Sequence, residues 1–254
     1  RGQKDHSILI PKLFRGIYAE SVCMDELSFA EKHGLNFFEN QYLPYSQHKS
    51  QSLLELMAIA QHHGMATRLL DWTTSLTTAI WMSLSRNTYQ EYQTAFSDDR
   101  VTEKPIIYML EAREEDFFSS SELSDMCKKQ IDEQYSDLNN SIRFYLPPAI
   151  SQRIIVQKSV FSVHPISANE RIPLEADPFI EDRLLYVLYP KEDLKSIILH
   201  QELAMIGVTE GSVYTDLAGL AGELNLWIAK SLHAIKTGKI DISKRLNTTI
   251  NDVS

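Results

Sequence analysis

Apolar positions along the chain fall into blocks whose spacing changes between helical and extended. Residues 51–63 (QSLLELMAIAQHH) are apolar almost all round, which predicts a deeply buried helix ended by Gly64. Residues 21–33 predict an earlier helix stopped by Gly34, after an extended, Leu/Ile/Pro-rich stretch at 7–15. The segment 67–71 (TRLLD) predicts a short strand or turn, and Thr74 or Ser75 caps a third helix through Ser85 that carries Ala79, Ile80, Trp81 and Leu84 inward. Residues 105–110 predict a buried strand, and 153–163 and 183–189 predict two more. Pro190 opens a helix that Gly207 closes. In the last helix, 216–236, Leu217, Leu220, Leu224, Trp227, Ile228 and Leu232 follow the 3.6-residue period. The expected fold class is α+β: one mixed sheet of 105–110, 154–163 and 183–189, packed by the helices 51–63 and 216–236.

Composition narrows this picture without redirecting it. With 43% hydrophobic and 23% charged residues, the 254-residue chain can build a real core as a single domain, 1–254. Residues 111–141 hold nine acidic side chains against three basic ones, which predicts a solvated helical insertion or lid, and 237–254 form a tail. The net charge of −9 argues against coating duplex DNA or an anionic membrane, while leaving room for a local basic cleft. No apolar run approaches the roughly 20 residues of a bilayer span, so no membrane partner is expected. Two cysteines, Cys23 and Cys127, make no disulfide framework, and the expected location is the reducing cytoplasm.

One stretch is patterned well beyond chance: Ala60-Gln61-His62-His63-Gly64-Met65-Ala66-Thr67-Arg68-Leu69-Leu70-Asp71-Trp72-Thr73. It resembles the central signature of FRG-domain proteins, a family named for a Phe-Arg-Gly motif. Arg1-Gly2-Gln3 followed by Leu9-Ile10-Pro11 resembles the family's opening segment, with the leading Phe expected upstream of Arg1. A second Phe14-Arg15-Gly16 occurs downstream and fits that spacing less well. Arg153, Gln157, Phe161 and His164 resemble a third conserved strand, and 207–221, with Tyr214 and Asp216, a C-terminal segment. Where relatives carry Pro after the TRLLDWT core, this chain has Leu76.

The resemblance implies a component of bacterial or phage conflict systems, a toxin or antiphage effector. The order of its motifs is similar to the ADP-ribosyltransferase plan. On that likeness NAD is the substrate cofactor: Arg1 engages its phosphates, Thr73 with Thr74 and Ser75 lines the nicotinamide pocket, and Gln157 faces the ribose. The acceptor would be nucleic acid or protein, and an antitoxin or other partner protein would restrain the chain. Breaking the nicotinamide–ribose bond builds positive charge, so a neutral Gln is a weaker stabiliser there than Glu.

Read as residues alone, each position has a plainer use. Arg68 either clamps substrate or pairs with Asp71 to lock a turn. Trp72 either supplies core area or lines the site, and Thr73 either caps a helix or meets ligand. Gln61 and His62 need hydrogen-bond partners on so apolar a helix, which makes them candidates to bind the nucleotide with Asp71. His62 and His63 point about 100° apart with nothing to complete a ligand set, so no metal is expected. Two readings stay open: an NAD-dependent ADP-ribosyltransferase or NAD glycohydrolase, and a non-catalytic module that senses a nucleotide, nucleic acid or protein.

Overall fold

The computed structural model describes residues 1–4, 7–16, 23–46, 48–84, 105–166, 172–188, 199 and 202–236. Helix α1 (Met24–Gln41) begins at Cys23, whose backbone N–H donates to Glu26 Oε2 at 2.9 Å. It runs straight through Gly34, where a stop was expected. Gly34 lies under the end of the Met65 side chain, whose Cε would stand 2.8 Å from a Cβ there. Helix α2 (Leu53–His62) is capped by Ser52, whose Oγ accepts from Glu55 N at 3.2 Å. Its residues 53–60 are all buried, as its apolar circumference requires, and Gly64 ends it at φ +91°.

Two small antiparallel sheets take the place of the single mixed sheet expected. One orders β1 (Gly2–Gln3), β3 (Ile106–Leu110) and β6 (Leu184–Leu188); the other orders β2 (Leu69–Thr73), β5 (Ser159–Val163) and β4 (Arg143–Tyr145). The second sheet is the middle layer. Its alternation turns Leu69, Tyr145, Phe161 and Val163 toward α2, and Leu70, Trp72, Phe144 and Val160 toward Ile106 and Tyr108 of β3. Both faces are therefore covered, and every residue of β5 is buried. Helix α3 (Leu76–Leu84) packs on β1 so closely that Gly2 admits no Cβ beside the carbonyl of Ala79.

Three more expectations are corrected. Residues 152–157 form helix α6 (Gln152–Gln157) rather than the start of a strand, because the Ser151 hydroxyl caps it by accepting from Ile154 N at 3.2 Å. Lys158, at φ 47°, then turns the chain into β5. The acidic segment does more than lie in solvent: it folds into α4 (Ser120–Met126) and α5 (Ile131–Asp137), and Met126, Tyr135 and Leu138 join the α2 cluster. After the short helix α7 (Glu210–Val213), the last helix α8 (Leu217–Lys236) docks through Gly219 and Gly222, against Tyr214 and Glu210. Its apolar stripe points away from the sheets, with Leu217 84% and Trp227 66% exposed. Of the helix expected at 190–207, residues 202–205 are helical before Gly207, while 190–198 and 200–201 lie outside the described residues, as does the tail 237–254.

Arg68 and Glu31 form a salt bridge at 2.7 Å with both side chains fully buried. Glu31 Oε1 also accepts from the Arg68 backbone N–H at 2.8 Å, and Arg68 Nη1 donates to Asn139 Oδ1 at 2.9 Å. Removing one partner leaves a buried charge alone, so Arg68→Ala should destabilise the fold by about 3–5 kcal/mol. Urea unfolding followed by circular dichroism measures this, and an unchanged midpoint would contradict the role assigned to the pair.

Candidate functional site

The alternation of β2 sends Asp71 and Trp72 to opposite faces, and each opens a different environment. On the Asp71 side, Gln61 Nε2 donates to Asp71 Oδ1 at 2.9 Å, and Gln61 Oε1 accepts a short hydrogen bond from the Thr67 hydroxyl. Both ends of the Gln61 amide are thereby fixed. Arg1 Nη1 donates to the Asp71 carbonyl at 2.6 Å, and Arg1 Nε to Gln3 Oε1 at 3.1 Å. Burial lowers the pKa of Arg1, while Asp71 opposes the shift. Arg153, on α6, lays its guanidinium over the Tyr214 ring at 4.3 Å and directs Nη1 at the His62 carbonyl at 3.5 Å. Burial first, then Arg153 and His63, push His62 down to about 4, so it is neutral near pH 7.

On the Trp72 side a cavity of about 350 Å³ lies between the two sheets. Trp72, Tyr108, Phe117 and Phe144 give it aromatic walls, and Arg1 with Thr73, Thr74 and Ser75 give it a polar edge. Two of those hydroxyls already have structural partners. Thr73 Oγ1 donates to the Gln157 carbonyl at 2.5 Å and accepts from Ser75 N at 2.9 Å, while Ser75 Oγ caps α3 by accepting from Thr78 N at 3.3 Å. The Trp72 indole N–H donates to Ser162 Oγ at 3.0 Å, and Ser162 in turn meets His164 Nε2 at 3.1 Å. If the serine hydroxyl donates onward, Nδ1 carries the His164 proton, and Nδ1 is buried without a partner.

The predicted residues thus separate into groups. Arg1, Gln61 and Asp71 are joined directly, with His62 beside them. Trp72 and Thr73 line the cavity that Arg1 also reaches. Gln157 touches the site only through its carbonyl; its side chain is buried and donates to the Val213 carbonyl at 3.1 Å. Arg68 stands apart, and its partner is Glu31 instead of Asp71. Arg153 and Tyr214 enter the cluster although neither was singled out as a site residue; the motif segments containing them were the available signal. Among the described residues no three His, Cys, Asp or Glu side chains gather as a metal site would require.

Residues 1–92 match the family model of the FRG domain. No curated protein and no solved structure matches the chain. The FRG match takes in Arg1, Gln61, Asp71 and Thr73, while Arg153, Gln157 and Tyr214 reach the same cluster from beyond it. Among the described residues no helix is long and apolar enough to cross a membrane.

The histidines set an acid limit on this arrangement. His164 is held at about 3 by burial, and His62 at about 4. Both folded values lie below the roughly 6.5 of an unfolded histidine, so the unfolded chain binds more protons in acid. Their contribution is complete above about pH 6.5 and is lost as pH falls toward the folded values. Melting temperatures measured between about pH 7 and 4 should decline, and His164→Asn should flatten the decline. An identical slope in that variant would contradict the burial assigned to His164.

Proposed function

We propose that this FRG protein binds NAD, seating an aromatic ring of the nucleotide in the inter-sheet cavity and turning its phosphates toward Arg1. The observation that carries the reading is the cavity: aromatic walls, a volume of about 350 Å³ and a guanidinium at its edge. Flat π-systems suit a nicotinamide or adenine ring, and a fixed guanidinium suits phosphate oxygens. Thr74, whose hydroxyl makes no hydrogen bond among the described residues, is free to meet the ligand.

Recognition without bond cleavage is the output that the lining favours, since among the described residues that form it there is no carboxylate or imidazole. Gln157 is occupied by Val213 and so does not reach toward a ribose in the cavity. A second reading has one observation in its favour: the Asp71 side chain, hydrogen-bonded to Gln61, adjoins the carbonyl that anchors Arg1. There a carboxylate could stabilise a ribosyl cation, in NAD cleavage or ADP-ribosyl transfer to nucleic acid or protein by a toxin or antiphage effector.

Calorimetry with NAD, ADP-ribose and nicotinamide tests binding, and release of labelled nicotinamide tests cleavage. Binding should be saturable, and Arg1→Ala should weaken it roughly ten- to hundredfold, the worth of a charge-assisted hydrogen bond. Nicotinamide release that disappears in Asp71→Asn would move the assignment to the enzyme. Absence of binding by all three ligands would overturn both readings.

A further inference from the structure

Ser162 and His164 are polar residues where the middle sheet otherwise turns apolar side chains inward. They follow Val160 at the spacing of two that keeps side chains on one face, the face that carries Leu70, Trp72 and Phe144 toward β3. Ser162 is fully buried, and His164 is 1% exposed. Ser162 stands opposite Leu70 and therefore diagonal to Trp72, near enough for the indole N–H to donate to its Oγ at 3.0 Å. His164 Nε2 lies 3.1 Å from the same oxygen. Among the described residues these are the two partners of Ser162 Oγ, and His164 Nδ1 has none.

The chemistry of the three groups gives this chain of bonds one direction. An indole nitrogen only donates, so Ser162 Oγ is its acceptor, and the single hydroxyl proton is left for His164 Nε2. The imidazole then carries its own proton on Nδ1, where nothing meets it. Burial holds the ring neutral, so Nε2 keeps the lone pair that the hydroxyl needs. A hydroxyl that is donating is also a better acceptor, and His164 thereby strengthens the bond to Trp72 from one step away. A buried N–H without a partner destabilises the fold, and an apolar pair at 162 and 164 would avoid it. What the polar pair does that an apolar pair would not is hold the indole. Neither residue lines the cavity, whereas Trp72 does.

We propose that Ser162 and His164 are positioning residues for the cavity: their relay fixes the Trp72 indole as a rigid wall against which a planar ring of the ligand stacks. The consequence for binding rests on the nucleotide reading, while the fixing of the indole does not. Phe144 meets Trp72 edge-on, with ring centroids 6.2 Å apart at 70°, and this contact is nearly indifferent to where the indole nitrogen points. The bond to Ser162 supplies that choice. A wall set before the ligand arrives does not have to be ordered on binding.

Indole N–H exchange on the full chain, followed by nitrogen-15 NMR, tests the relay directly. Trp72→Phe identifies the Trp72 signal, buried Trp81 reports global opening, and exposed Trp227 marks the unprotected rate. In the unsubstituted protein the Trp72 N–H should exchange slowly, and the His164 nitrogen shifts should show a neutral ring protonated on Nδ1. Ser162→Ala should speed Trp72 exchange roughly tenfold relative to Trp81, the worth of one hydrogen bond. It should weaken nicotinamide, measured by calorimetry, about three- to tenfold, the cost of ordering one side chain. His164→Leu should act in the same direction. His164→Gln, whose amide oxygen can stand where Nε2 stands, should recover most of both effects, which a role in packing alone would not do. If the variants leave Trp72 exchange unchanged, or His164 carries its proton on Nε2, the relay is wrong whatever binds. If they free the indole while nicotinamide and NAD bind as tightly as before, the positioning role is wrong and the nucleotide reading stands. If they free the indole and the unsubstituted protein binds neither probe, the relay stands as the holder of Trp72 and the nucleotide reading falls.

Discussion

Arg68 and Glu31 meet where neither has water to turn to, and either alone would be a heavy burden on the fold. Their pairing does more than cancel charge. Glu31 brings α1 to the entrance of β2 by accepting from both the backbone and the side chain of Arg68. Through Arg68, the Asn139 amide oxygen is drawn to the same point, and it also accepts from Ile166 N at 3.1 Å. The Arg68 carbonyl accepts from His164 N at 3.1 Å, one step before Leu69 faces Val163 across the ladder. One buried contact therefore joins a helix, a loop and the register of the middle sheet. Because β2 alternates from that fixed start, it also decides that Asp71 faces Gln61 while Trp72 faces the cavity.

That alternation gives neighbouring residues unlike surroundings. Asp71 belongs to a polar cluster in which Arg1 donates to its carbonyl and Gln61 to its carboxylate, with Arg153 directed at the neighbouring His62 carbonyl. Trp72 belongs to an aromatic wall, its polar atom withdrawn into a hydrogen bond with Ser162. In a chain of net charge −9, positive charge gathered at one strand end is local and is not a property of the whole surface. The middle sheet supplies the rigidity for this, being covered by α2 on one side and by β3 on the other.

Much of the α+β character was legible because the signals are local. The all-apolar circumference of α2 and the continuous apolar run 105–110 each imply burial by themselves. What escaped were matters of partner. The sequence 153–163 alternates well enough for a strand, yet the Ser151 cap turns its first half into α6; a hydroxyl three residues before an amide outweighed periodicity. Gly34 looked like a terminator because glycine commonly is one, yet α1 continues through it to Gln41. Gln61, Asp71 and Arg1 could be suspected as polar residues in apolar company, and they do meet. That Arg68 would find Glu31, 37 positions earlier, had no trace in local pattern, since nothing in the spacing says which acid will be buried. The same holds for α8: its period foretold a helix and an apolar face, and could not foretell that glycines would do the docking.

The glycine contact of α8 has a mechanical side. At Gly219 the helix backbone comes so near the Tyr214 carbonyl that a methyl group would overlap it, while Gly222 faces the carboxylate end of the Glu210 side chain. Glu223 adds two tethers, accepting from the Thr209 hydroxyl at 2.9 Å and from Gly211 N at 2.8 Å. The Gly219 contact and the Glu223 tethers thus fasten α8 and the 209–214 turn into one arm. Tyr214 is the tip of that arm, and the guanidinium of Arg153 rests on its ring. The outer helix therefore meets the Asp71 cluster through an aromatic face, with Tyr214 as the joint between them.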